Sequence, residues 1–198
     1  MTGSRRPQDD EAKAIPERFQ EALLSVRATP RPRSLLLEEV PGPARMAPYS
    51  AALTAETVRH AGGTPVGSGR FVILHDPAGQ EAWGSDFRMV AMVRSQLDDE
   101  VQDDPALGEA AWSWLTDCLD DAGAGYHDLV GTVTRVLSET FGGLKLSDSC
   151  GHAELRASWS PATADLGPHL TAWYELVLMA SGHEPALVRP FSLAGVRR

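Results

Sequence analysis

The sequence predicts an α+β fold: an antiparallel sheet of five to six strands with helices packed on one face. Two observations predict it. The hydrophobic pattern gives the order helix, three to four strands, helix, two strands, helix. The C-terminal two-thirds also states one pattern twice, since residues 69–123 and residues 130–182 each run strand, strand, helix, glycine. Val93-Arg94-Ser95 in the first unit corresponds to Leu155-Arg156-Ala157 in the second, and Trp114 and Trp173 each lie nine residues before a glycine, Gly123 or Gly182.

Each element has a local reason. Ile15, Phe19, Leu23 and Val26 recur on one helical face, with Pro16 in the first turn and Pro30 and Pro32 beyond the end. Leu35–Val40 is a short apolar run closed by Pro41-Gly42-Pro43 and reads as a strand. Tyr49–Val58 alternates, although its alanines also permit a helix; strand is preferred because 60–69 looks like a hairpin connection. Arg70–His75 is a strand, Asp76-Pro77-Ala78-Gly79 a turn by residue type, and Phe87–Ser95 the next strand. Asp104-Pro105 supplies an N-cap and a proline at the first helical position, after which Leu107, Ala111, Trp114, Cys118 and Ala122 share one face. Val130–Leu137 is rich in β-branched residues. In the strand Ala153–Ser160, Ala153, Leu155, Ala157 and Trp159 face one way. Leu166, Leu170, Trp173, Val177 and Ala180 form the last helical stripe.

The domain plan is a disordered tail over 1–14, a single α+β domain over 15–183 and a C-terminal tail over 184–198 that packs, if at all, through Leu187 and Phe191. The 198 residues are enough for one buried core. A net charge of −9 argues against a general nucleic-acid or anionic-membrane binder, which needs a positive footprint. Lys13 and Lys145 are the only lysines among 18 basic residues, a bias expected of a GC-rich genome. No leader-like apolar segment follows the polar N-terminus and no apolar run approaches a membrane span, so a cytoplasmic location is expected. In that reducing setting Cys118 reads as a buried thiol, and a bond to Cys150 is not expected.

The densest polar segment is His75-Asp76-Pro77-Ala78-Gly79-Gln80-Glu81-Ala82-Trp83-Gly84. It offers an imidazole, two carboxylates and an amide, and is either an acid–base or ligand site or a hairpin turn whose Asp76 bonds its own backbone. His60, His75, His127, His152, His169 and His183 show no metal-ligand spacing, so no metal site is expected. There is no nucleophile elbow or P-loop, and Gly67-Ser68-Gly69 and Gly142-Gly143 read as hairpin turns. Arginines recur on strands. Arg88, Arg94, Arg135 and Arg156 form either a recognition face, together with Glu139 and Glu154, or a set of cross-strand ion pairs. Trp112 and Trp114 cannot both point inward from one helix, so Trp112 is either flanking core or an exposed contact.

Two resemblances follow. The element order resembles type III secretion chaperones and YbjN-type domains across most of 15–183. The blocks His75–Trp83, Trp112-Ser113-Trp114-Leu115, Gly131-Thr132-Val133-Thr134-Arg135 and Arg156-Ala157-Ser158-Trp159 resemble an actinobacterial domain-of-unknown-function family, number three thousand, over about 16–185. That resemblance implies a bacterial cytoplasmic protein and brings no activity, cofactor or catalytic residue with it.

The expected role is a non-enzymatic protein-binding, adaptor or chaperone-like domain, homodimeric, with an unidentified protein partner and no cofactor. Its contact residues would be Arg88, Arg94, Arg135, Arg156 and Trp83. The alternatives are a small-ligand enzyme with His75 as base and Asp76 or Glu81 orienting it, Gln80 being a further binding candidate, and an accessory protein of RNA metabolism using the arginine face.

Overall fold

The computed structural model describes residues 14–58, 66–97, 101–138 and 151–182. Both expected tails, apart from Ala14, and also His60, Glu139, Gly142-Gly143, Cys150 and His183 lie outside the described residues. The elements are α1 (Glu17–Ala28), β1 (Leu35–Val40), β2 (Tyr49–Thr57), β3 (Gly67–Gln80), a 3-10 turn (Glu81–Trp83), β4 (Ser85–Leu97), α2 (Leu107–Asp121), β5 (Tyr126–Val136), β6 (Gly151–Pro161) and α3 (Gly167–Ala180). The architecture is α+β. Among the described residues one antiparallel six-stranded sheet, in the order β1-β2-β3-β4-β6-β5, carries three helices.

Strand parity assigns the faces. Phe87, Met89, Ala91, Val93, Ser95 and Leu97 are all buried on β4, and across the pairs they meet Phe71, Ile73, Leu155, Ala157 and Trp159. That face carries the helices and the main core, with Trp159, Trp173, Phe71 and Phe87 fully enclosed. Each such side chain is worth about 1.5–3 kcal/mol of burial. Behind Trp159 the indole N–H donates to Nδ1 of His169 at 3.0 Å, so this buried imidazole serves as an acceptor. Burial lowers the His169 pKa to about 4, with Asp165 opposing the shift.

The repeat is visible as geometry. β4 and β6 are central neighbours, and Val93 lies directly opposite Leu155, its sequence counterpart. An approximate two-fold axis normal to the sheet therefore passes between them. It relates β3-β4-α2 to β5-β6-α3. Each helix crosses to the other unit's strands: α3 covers β3 and β4, α2 lies against β5, and the two helices pack together. Under each sits a strand glycine. A methyl on Gly69 would come within 2.9 Å of Cζ2 of Trp173, and one on Gly131 within 2.8 Å of Cζ3 of Trp112. Both helices stop at a left-handed glycine, Gly123 (φ 67°) and Gly182 (φ 73°). At the first, the N–H of Ala124 reaches the Leu119 carbonyl and that of Gly123 the Asp120 carbonyl.

Several local expectations shift. The buried stripe of α2 is Leu107, Ala111, Leu115, Cys118 and Leu119, with Trp112 and Trp114 half-buried on its flanks. Trp112, over Gly131, is flanking core. In α1 the buried residues are Phe19 and Ala22, while Ile15 is exposed. α2 begins after the turn in which Asp104 Oδ1 accepts the N–H of Ala106, so Pro105 precedes the helix. The chain reverses at Glu81–Gly84 and not at 76–79, which form a bulge where the β3–β4 register shifts between His75 and Gln80.

Candidate binding surface

The His75 segment does not assemble a reacting centre. Consecutive strand residues point to opposite faces, so His75 and Asp76 diverge. His75 turns into the helix-side core and is 1% exposed, with its ring stacked 4.3 Å from Phe87 and 5.6 Å from Phe19. Nδ1 lies 3.0 Å from the Asp86 carbonyl, which can only accept, so Nδ1 carries the proton. Nε2 is then a buried acceptor with no hydrogen-bond partner among the described residues. Burial lowers the His75 pKa, against the opposing pull of the Asp86 carbonyl and carboxylate. Asp86 itself is held by Arg18, Nε to Oδ2 at 2.8 Å. On the other face Asp76 accepts the Ala78 N–H and the Gln80 amide, both at 3.1 Å, which is the turn-like role. Glu81 opens the 3-10 turn, exposed and away from the imidazole.

The face opposite the helices has two halves. Over β2 and β3 it is covered. Ala52, Val72 and Leu74 are buried, flanked within the sheet by Val40 and Val90 and packed against Ala47 and Trp83. Arg70 ties down the connection after β1 by donating to the Pro41 carbonyl at 3.1 Å. Arg88 belongs to this covered half. It is buried, and donates from Nη1 to Ser160 Oγ at 3.1 Å and from Nη2 to Ser158 Oγ at 2.8 Å. Ser160 passes the chain on, donating to the Trp83 carbonyl at 2.6 Å. Burial lowers the pKa of Arg88, partly offset by Asp128. Arg88 and Trp83 thus fasten the hairpin end to β6, where no incoming partner can reach the guanidinium face-on.

Over β4, β6 and β5 no described residue covers the face. In register, Met92, Arg156 and Thr132 form one row across the strands, and Arg94, Glu154 and Thr134 form the next. Arg156 Nε meets Glu154 Oε1 at 2.6 Å, but the Arg156 side chain is 66% exposed, so the pair adds little stability. Arg94 is exposed opposite Glu154. These rows carry two guanidinium groups against one carboxylate. Arg135 is not among them. It pairs with Ala153 on the helix side and donates Nη1 to the Asp104 carbonyl at 2.6 Å. Of the four strand arginines, the structure therefore brings together Arg94 and Arg156 on an accessible surface.

Two cavities of about 220 Å³ lie on the helix side. One, between α2, α3 and the central strands, is lined by Leu97, Trp114, Leu155, Leu176 and Met179. The other, between α1, α3 and the β1–β2 edge, has Arg27, Arg31 and Glu39 around an apolar floor. Both fall below the roughly 300–1,000 Å³ usual for small-molecule sites. Among the described residues no three His, Cys, Asp or Glu side chains come together to hold a metal. Among them, too, no helix is long and apolar enough to cross a membrane.

Residues 15–189 match the family model described as "Protein of unknown function (DUF3000)". No curated protein and no solved structure matches the chain, so the likeness to secretion chaperones and YbjN-type domains rests on element order alone.

Proposed function

We propose a function from geometry, because the chain belongs to the DUF3000 family, whose description assigns no activity: it is a non-enzymatic protein-binding domain whose recognition surface is the half of the sheet that no described residue covers. The observation that carries this reading is the pair Arg94 and Arg156, accessible on β4 and β6 with one carboxylate between them, in a chain of net charge −9. Forked guanidinium donors on a rigid sheet suit a carboxylate-bearing segment of a partner protein. Threonines 132 and 134 beside them add hydroxyls without charge. The rival reading, His75 acting as a base with Asp76 or Glu81, loses its support because His75 is packed between aromatic rings and Asp76 closes its own turn.

The test is affinity purification of the tagged chain from its native host, with and without nuclease, alongside the Arg94→Ala/Arg156→Ala double variant. A stoichiometric protein that survives nuclease and is lost by a folded double variant supports the reading. Retention of that protein by the double variant removes these residues from the interface. A partner released by nuclease moves the assignment to RNA metabolism, and RNA binding should then fall steeply with salt.

A further inference from the structure

The two edges of the sheet are unlike. β1 carries Glu38 and Glu39 and runs into Pro41, devices that discourage strand addition. β5 has no such guard between Leu129 and Thr134, a stretch without charge or proline. The bulge at Asp128 (φ 52°) lies before it, and from Val130 to Val136 the strand is regular against β6. Val130 is 57% exposed and Thr132 and Thr134 are exposed beside it. The approximate two-fold sharpens the contrast. β3, the counterpart of β5, has its outer edge paired by β2, with Gly69 opposite Ala55. The equivalent edge of β5, at Val133, pairs with no described strand.

We infer that this edge pairs antiparallel with β5 of a second copy of the chain, about a two-fold centred on Val133. The segment Val130-Gly131-Thr132-Val133-Thr134-Arg135-Val136 reads nearly the same in both directions. In that register Val130 faces Val136 of the second copy, Thr132 faces Thr134, and Val133 faces itself. β-branched pairs and threonine pairs are favourable directly opposite one another. The one asymmetric pair is Gly131 with Arg135, and the structure has a place for it. Gly131, Thr132 and Val133 on β5 and Gly108, Glu109 and Trp112 on α2 line a shallow hollow open at this edge. Arg135 points to the helix side of its own sheet, so in the pair it lies over Gly131 of the other copy. There its guanidinium exchanges the Asp104 carbonyl of its own chain for the Trp112 ring and the Glu109 carboxylate of the other. The cradle needs the glycine, since a methyl there would lie 2.8 Å from Trp112. The result is a continuous twelve-stranded sheet, twice the six of one chain, that leaves the Arg94–Arg156 rows of both copies uncovered.

Sedimentation equilibrium tests this on the full chain. The expected mass is twice 21.3 kDa. Thr132→Lys/Thr134→Lys sets lysines opposite lysines and Thr132→Glu/Thr134→Glu sets glutamates opposite glutamates. Each variant alone should fall to the single-chain mass, with its circular dichroism unchanged, because both positions are exposed. Mixing the two should restore the doubled mass. Arg135→Glu should weaken the dimer at least tenfold, and Arg135→Glu/Glu109→Arg should recover it. A wild-type chain of single mass across the concentration range overturns the inference, as do a dimer indifferent to the lysine pair and a charge-swapped mixture that stays single. In the first case the edge is open to a foreign strand or to none.

Discussion

Acidification should destabilise the protein through His169. Its imidazole is 2% exposed and accepts the Trp159 N–H, a role only the neutral ring can play. The folded pKa is about 4 against an ordinary 6.5. The unfolded chain thus takes up the proton first as pH falls. Stability from this site is complete above pH 6.5 and is lost as pH drops towards 4. The gap of about 2.5 pH units, at about 1.36 kcal/mol each, gives roughly 3 kcal/mol in all and roughly 2 kcal/mol by pH 5. His75 adds a shift of the same sign, so the wild-type curve alone does not isolate His169. The comparison is with His169→Gln, which keeps an acceptor and cannot titrate. Urea melts followed by circular dichroism from pH 7.5 to 4.5 should show a wild-type loss exceeding the variant's by about 2 kcal/mol at pH 5. Parallel losses in the two proteins would refute the assignment of the proton to His169.

Three further outcomes are expected. Gly69→Ala sets a methyl 2.9 Å from Trp173 and 3.0 Å from the Met92 carbonyl, which cannot yield, and should cost about 1–3 kcal/mol in the same melts. Arg88→Met strips the hydroxyls of Ser158 and Ser160 of their donor and should cost about 1–3 kcal/mol, whereas exposed Arg94→Ala should stay within about 0.5 kcal/mol; equal effects would contradict the burial difference. Cys118, its pKa raised to about 12 mainly by burial, should resist thiol reagents in a Cys150→Ser background at pH 8 and react once urea unfolds the chain.

The fold was legible where periodicity is strict. Residues 153–160 alternate without interruption, and the last helix follows its apolar stripe, so sheet and helix fell out of spacing alone. The order of elements and the paired glycine stops were readable for the same reason. The candidate site was less legible, because faces depend on neighbours far along the chain. That Trp112 packs over β5 depends on Gly131, which lies on another strand. The parity of Arg135 depends on the bulge between His127 and Val130. Arg88 shares its strand face with Arg94 yet is buried, because the turn carrying Trp83 folds over one end of that face and not the other. The divergence of His75 and Asp76 was available from the outset: adjacent residues on a continuing strand cannot serve one site.

The crossing of the helices has a consequence for how the chain is made. α3, the last of the described helices, roofs β3 and β4, which are synthesised far ahead of it. A nascent chain that has delivered the first unit holds Phe71, Ile73, Met89 and Ala91 on a sheet with no lid, and an α2 whose own strands do not yet exist. Burial of these side chains is expected to wait for α3, the last of the described helices, to emerge and pack on β3 and β4.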